Sequence, residues 1–164
     1  MISEIGIEEF RTKLKTNTKL GNPKISGSPL HAFNMIGEKD KMFYGIINHN
    51  DFKITKNAIL HPIPFVLKGK IKSKNRNQTE ISYEIIPIQF GYYWIRFFPF
   101  IAFALFNIIF IIENPPLIVW LLFNSLIIII GIIFNIRMKY QRRNFERNFI
   151  KFFEIADRSE NEKY

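Results

Sequence analysis

The chain has no cysteine among its 164 residues, which excludes disulfides, a thiol nucleophile and any cysteine-based zinc site. Histidine is scarce too. His31, His49 and His61 share no ligand spacing and have no carboxylate cluster beside them, so no metal or other cofactor is expected. Gly21 and Gly27 lack the Gly-Lys-Ser/Thr ending of a phosphate loop, and there is neither a Gly-x-Ser-x-Gly elbow nor a His-Glu-x-x-His helix. Asp40 and Asp51 flank a predicted strand and read as turn residues rather than as an acid–base pair. The expectation is therefore a non-enzymatic protein. An apolar run is also missing at the N-terminus, where Ile2-Ser3-Glu4 stand. No signal peptide is expected, and the first apolar segment would itself direct insertion.

The most informative absence is local. From Tyr92 to Ile136 the only charged residues are Arg96 and Glu113, each near the end of an apolar run. A hydrocarbon layer of ~30 Å takes ~20 apolar residues in a helix. Tyr92–Ile112 and Leu117–Ile136 both meet that length, joined by Glu113-Asn114-Pro115-Pro116. Two prolines cannot continue the first helix but suit the opening of a second. So short a link forces an antiparallel pair, and a chain of this size cannot wrap two such helices in its own core. Residues 92–136 are read as a two-helix transmembrane hairpin with its loop at 113–116.

Charge sets the orientation. Residues 1–91 carry 14 Lys/Arg and 8 Asp/Glu, residues 137–164 carry 8 and 5, and the tight loop has no basic residue. Arg137, Lys139, Arg142 and Arg143 follow the second helix, and Arg96 guards the first. The chain would cross the membrane twice, with both termini expected in the cytoplasm. Tyr92, Tyr93 and Trp94 would form the inner aromatic belt and Trp120 the outer one. No nucleic-acid-binding motif accompanies the net charge of +9, so membrane lipids and a protein are the expected partners and nucleic acid is not.

Polar residues inside the hairpin form a pattern. Arg96 and Asn107 are 11 residues apart, as are Asn124 and Asn135, about three helical turns in each case. Folded about Pro115-Pro116, Asn107 would face Asn124 and Arg96 would face Asn135, with Gly131 and Ala104 permitting close approach. Such a two-rung seam is open to three readings: an internal clasp, a contact between copies in a homo-oligomer, or a transport path.

Before the hairpin, residues 1–91 read as a cytoplasmic helix plus a β-rich domain. Ile7, Phe10 and Leu14 share one helix face, with Glu early and Lys late, which predicts a helix over Ile5–Lys15. Leu20–Lys39 is punctuated by Gly and Pro and reads as a loop. Lys41–Ile47 and Asp51–Lys56 flank Asn48-His49-Asn50 as a first hairpin. Phe65–Lys74 and Thr79–Ile85 alternate strictly around Asn75-Arg76-Asn77. Keeping like faces together sets Lys72 opposite Glu80, Lys68 opposite Glu84, Ile71 beside Ile81 and Tyr83 over Gly69.

Lys68, Lys70, Lys72 and Lys74, with Arg76, then make a basic stripe. It reads either as a solvated, partly ion-paired sheet face or as a contact for anionic headgroups or an acidic protein. After the hairpin, residues 137–164 form a basic amphipathic helix and tail. Phe145, Phe149, Phe152, Phe153 and Ala156 line one side of a helix running to Asp157, and Ser159–Tyr164 look frayed. That helix can lie on headgroups or cover the sheet, with the sheet preferred because a four-stranded sheet needs a partner layer.

Phe43-x-Gly45-x-Ile47, Phe52-x-Ile54, Pro64, Gly69-x-Ile71 and Thr79-x-Ile81 together resemble a group of small uncharacterised bacterial membrane proteins in which a cytoplasmic β-hairpin domain precedes two transmembrane helices. The resemblance covers about residues 40–136 and implies an inner-membrane setting with no assigned activity. The expected fold class is an α+β membrane protein: a small antiparallel β-domain with flanking helices and a transmembrane helical hairpin. Its expected role is to bind a protein partner or the anionic membrane surface through the β-domain. The alternative is an immunity-type or transport-accessory protein acting through the hairpin.

Overall fold

The structure, a computed structural model, describes residues 1–23, 40–57 and 63–156. His31, His61, Gly27, most of the expected Leu20–Lys39 loop and the tail from Asp157 lie outside the described residues. The fold is α+β. The elements are β1 (Ile2–Ser3), α1 (Ile7–Thr16), β2 (Thr18–Leu20), β3 (Phe43–Ile47), β4 (Asp51–Lys56), β5 (Phe65–Asn75), β6 (Gln78–Pro87), α2 (Gln89–Glu113), α3 (Leu117–Phe152) and β7 (Ile155–Ala156).

Alternating side chains give the central hairpin its register. Lys68 lies opposite Glu84, Gly69 opposite Tyr83, Ile71 opposite Ile81 and Lys72 opposite Glu80. Each pairing keeps apolar residues on one face, which a one-residue slip would invert. The space above Gly69 is taken by the Phe52 ring of the next strand rather than by Tyr83, so a side chain at Gly69 would displace that ring. Asn75 joins the ladder opposite Gln78 through an irregularity after Ser73, so the expected three-residue loop shrinks to Arg76-Asn77. The first hairpin pairs Phe43 with Lys56 and Ile47 with Phe52 around residues 48–50.

The sheet is larger than expected and not purely antiparallel. Among the described residues, seven strands run in the order β2-β3-β4-β5-β6-β1-β7. Thr18–Leu20, which carries no strand signal and whose Leu20 reads as the start of a loop, pairs parallel to β3. A parallel return needs a long connection, which the chain between Leu20 and Phe43 supplies. Ile2–Ser3 pairs with β6 on one side and β7 on the other. Strands of two or three residues carry no periodicity, so their existence depends on partners far along the chain.

Helix α1 starts at Ile7, two residues later than expected, because Ile5 already packs in the core and Gly6 is the N-cap. Phe10 and Leu14 are fully buried. They meet a second helical layer, the last turns of α3, on the same face of the sheet. Phe153 lies tilted against Phe10 at 4.4 Å, Phe149 meets Tyr83 at 5.4 Å and Phe52 at 5.8 Å, and Phe43 lies 6.4 Å from Phe145. Residues 137–156 are therefore not a separate unit: Phe145, Phe149, Phe153 and Ile155 share one core with Phe10, Phe43, Leu67 and Ile81. The helix stops at Phe152 instead of Asp157. Glu154 takes a left-handed conformation (φ 50°) that turns the chain into β7, and its carboxylate pairs with Lys13 at 2.9 Å.

Helix α2 begins at Gln89, with the Ile88 N–H donating to the Pro64 carbonyl at 2.9 Å and Phe65 packing edge-on against Tyr92. It ends at Asn114, left-handed at φ 46°, whose N–H donates to Phe110. Asn tolerates that conformation better than most residues. Helix α3 has 36 residues without interruption, about 54 Å at 1.5 Å per residue. Both helices are long and apolar enough to cross a membrane. Between Tyr93 and Ile136 they leave 27 large apolar side chains exposed, thirteen on α2 and fourteen on α3.

Truncating Phe149, which is fully buried, is expected to destabilise the full chain by about 3–5 kcal/mol. Phe152→Ala, at a half-buried position, is expected to lose less than half as much. Denaturant titration of the detergent-solubilised protein, followed by circular dichroism, measures the difference. Equal effects would mean that α3 does not dock as described.

Candidate functional site

The antiparallel helices place Asn107 and Asn124 side by side. Asn107 Nδ2 donates to Asn124 Oδ1 at 2.8 Å, and Asn124 Nδ2 donates back to Asn107 Oδ1 at 3.1 Å. Asn107 Nδ2 also reaches the Phe103 carbonyl at 2.7 Å. The two amides thus satisfy each other within one chain, and Asn124 is buried. This is a reciprocal clasp among otherwise apolar neighbours, where alternative partners are few.

The second expected rung is not a hydrogen bond. Arg96 Nη1 donates to the Tyr92 hydroxyl at 2.8 Å, one turn toward the polar end of α2. Asn135 Nδ2 bonds back to the Gly131 carbonyl at 3.2 Å. Each side chain finds a partner within its own helix, so the long guanidinium is not drawn across. Close approach of the helices occurs where Pro99 meets Gly131, whose added Cβ would lie 3.3 Å from the Pro99 Cβ. Ala104, expected at that contact, is exposed, and Ile127 is the buried residue at its depth. A cleft of about 320 Å³ opens between the two helices instead, lined by Arg96 and Asn135 and walled by Phe100, Phe103, Ile128 and Ile132. Pro99, three residues after Arg96 and so on the same helix face, was the sequence signal for this contact.

The lysine stripe lies on the sheet face away from α1 and α3. Lys68 Nζ reaches Glu84 Oε1 at 3.2 Å. Lys70 stands between Asp51 and Ser82, and Lys72 beside Glu80. Lys74 and Arg76, at the hairpin tip, are exposed. The stripe also gains Lys53, directly opposite Lys68 across β4 and β5. Like charges at facing positions repel. The pairing of the two hairpins, which local alternation does not specify, is what brings Lys53 into the row.

Other titratable groups have structural roles. His49 and Asn50 meet the Arg11 guanidinium at 3.1 Å, and Asp51 accepts from Asn48 in the turn at 2.8 Å. Burial pushes the Tyr44 hydroxyl above its usual range, with a hydrogen bond to the Asn22 backbone opposing the shift. Among the described residues, no group of three or more His, Asp or Glu is placed to hold a metal.

The clasp gives a double-mutant cycle. Asn107→Leu or Asn124→Leu alone strands the other amide and is expected to destabilise the helix pair by about 0.6–2 kcal/mol. The double substitution is expected to lose less than the sum of the two, read as resistance to unfolding in mixed detergent micelles. Strict additivity would show that the two amides do not interact. No family model matches this chain, and neither a curated protein nor a solved structure is significantly similar to it.

Proposed function

We propose that the chain is a non-enzymatic, multi-pass protein of a bacterial inner membrane, with both termini cytoplasmic, whose β-domain binds a protein partner through the lysine face. The observation that carries the anchoring is the exposure of α2 and α3. Phe100 is 66% exposed, Ile111 79% and Leu122 64%. A helix in the core of a soluble protein would be covered, and contiguous apolar surface of this extent marks a membrane or a large interface. The basic residues after Ile136 and their absence from the 113–116 loop support the orientation.

The choice between leaflet and protein rests on distance. Helix α3 and the β5–β6 hairpin leave the apolar segment together: Tyr83 meets Glu146 and Phe149, while Ser3, paired with Thr79, bonds to the Phe153 carbonyl. Counting from Arg137, the level of Phe153 lies about 24 Å along the helix, and still about 18 Å from the boundary at a tilt of 40°. Lys72, Lys74 and Arg76 are near or beyond that level. The leaflet potential decays over about 8 Å in physiological salt, leaving less than about 0.1 kcal/mol per charge there. An acidic protein can reach them; headgroups cannot. The clasp between Asn107 and Asn124, closed within one chain, supports a register lock over pairing between copies.

Two measurements test this. Because the chain lacks cysteine, Asn114→Cys and Arg76→Cys each provide a single thiol for an impermeant maleimide. Asn114→Cys is expected to label on spheroplasts and Arg76→Cys only after lysis; the reverse would invert the topology. Charge reversal of Lys72, Lys74 and Arg76 to Glu is expected to weaken partner capture from membranes by about tenfold or more, with liposome binding changed less than twofold. Unchanged capture would remove the lysine face from the proposed function.

A further inference from the structure

We propose that the cleft between α2 and α3 is a binding site for one anionic phospholipid, its phosphate held at Arg96 and one acyl chain lying along the apolar wall. This rests on the membrane reading above and adds a ligand and a place to it. The cleft has two chemically distinct ends. At one are Arg96 and Asn135; along the rest are Phe100, Phe103, Ile128 and Ile132. Its floor is the Pro99–Gly131 contact, where a residue without a side chain lets the helices meet. That combination, a cationic head position continuous with an apolar trough, matches an amphiphile rather than a free ion or a purely apolar ligand.

Charge selects the class of headgroup. The Arg96 guanidinium offers five N–H donors, and its hydrogen bond in the structure is to the neutral Tyr92 hydroxyl. No carboxylate among the described residues pairs with it; Glu113, the only acidic residue from Tyr92 to Ile136, is at the opposite end of α2. Lys139 follows Asn135 by four residues and so lies on the same helix face, one turn nearer the polar end. A phosphodiester would meet a guanidinium able to bind it in a bidentate fork, with the free Asn135 Oδ1 available to a headgroup hydroxyl. The ammonium of a zwitterionic lipid would instead meet Arg96 and Lys139 with no carboxylate to receive it. An arginine in an apolar segment is costly to place, and here its position coincides with a cleft that, among the described residues, is lined by no compensating anion.

The test uses the full chain purified in neutral detergent and titrated with phosphatidylglycerol or phosphatidylcholine of identical acyl chains, read by native mass spectrometry. The expected result is a monomer carrying one phosphatidylglycerol, bound at least tenfold more tightly than phosphatidylcholine. Arg96→Gln is expected to abolish that preference. Arg137→Gln, which removes the same charge from the opposite helix face, is expected to leave binding within twofold. Equal loss in the two variants, equal affinity for the two lipids, or a lipid-free dimer that occludes the cleft would each overturn the site. Carbonate extraction separates this from the anchoring: a wild-type chain that stays in the membrane pellet but shows no lipid preference fails the site alone, whereas a released chain fails both.

Discussion

The constraint on which the rest depends is the docking of the last turns of α3 onto the sheet. Phe145, Phe149 and Phe153 are spaced four residues apart, one side of a helix, and all three are buried against Phe10, Phe43 and Phe52. Because α3 runs unbroken from Leu117 to Phe152, an apolar segment and a soluble-type core share one rigid rod. The other attachment is shorter: Ile88 and Tyr92 hold the start of α2 to Pro64 and Phe65. With two fixed points the hairpin cannot swivel freely beneath the sheet. The order of elements explains the strand inventory too, since β7 reaches β1 through the docked end of α3 and the chain reversal at Glu154.

Within the helix pair, one polar contact and one tight contact share the work. The amide pair of Asn107 and Asn124 is directional, so it sets rotation and depth, while Pro99 against Gly131 sets separation. Proline at position 99 also lacks the N–H that would bond the Ile95 carbonyl, which weakens the helix ladder where the cleft begins. Arg96 and Asn135 consequently line one cleft without being joined across it. On the proposed reading, a polar position left open in this way is where a lipid headgroup would enter.

The excess of positive charge is not one feature but two. The residues after Ile136 and the cleft arginine lie next to the apolar segment, where a leaflet potential would be felt. On the proposed reading the outer part of the lysine face, from Lys72 to Arg76, is carried along β5 beyond the range of that potential; Glu84 and Glu80 partly neutralise Lys68 and Lys72, whereas no described acid faces Lys74 or Arg76. Composition alone merges the two into a single net charge and a single suggestion of membrane contact. Their separation follows from the parallel advance of α3 and the hairpin.

What the sequence determined by itself were the features written in local periodicity. The two apolar helices, the Pro115-Pro116 fold, the β5–β6 register and the amphipathic stripe of Phe145, Phe149 and Phe153 all follow from spacing within a few turns or one hairpin. The facing of Asn107 and Asn124 was legible for the same reason, because a tight loop makes depth a matter of counting. Tertiary structure alone decided the rest. Strands as short as Ile2–Ser3, Thr18–Leu20 and Ile155–Ala156 exist only because remote edges accept their hydrogen bonds. Lys53 joined the lysine face through a strand pairing that no local pattern specifies. Arg96 and Asn135, at matching depth by the same count, were kept apart because long and short polar side chains each found a nearer partner in their own helix. Counting residues sets where side chains can meet; the competing hydrogen bonds within each helix decide whether they do.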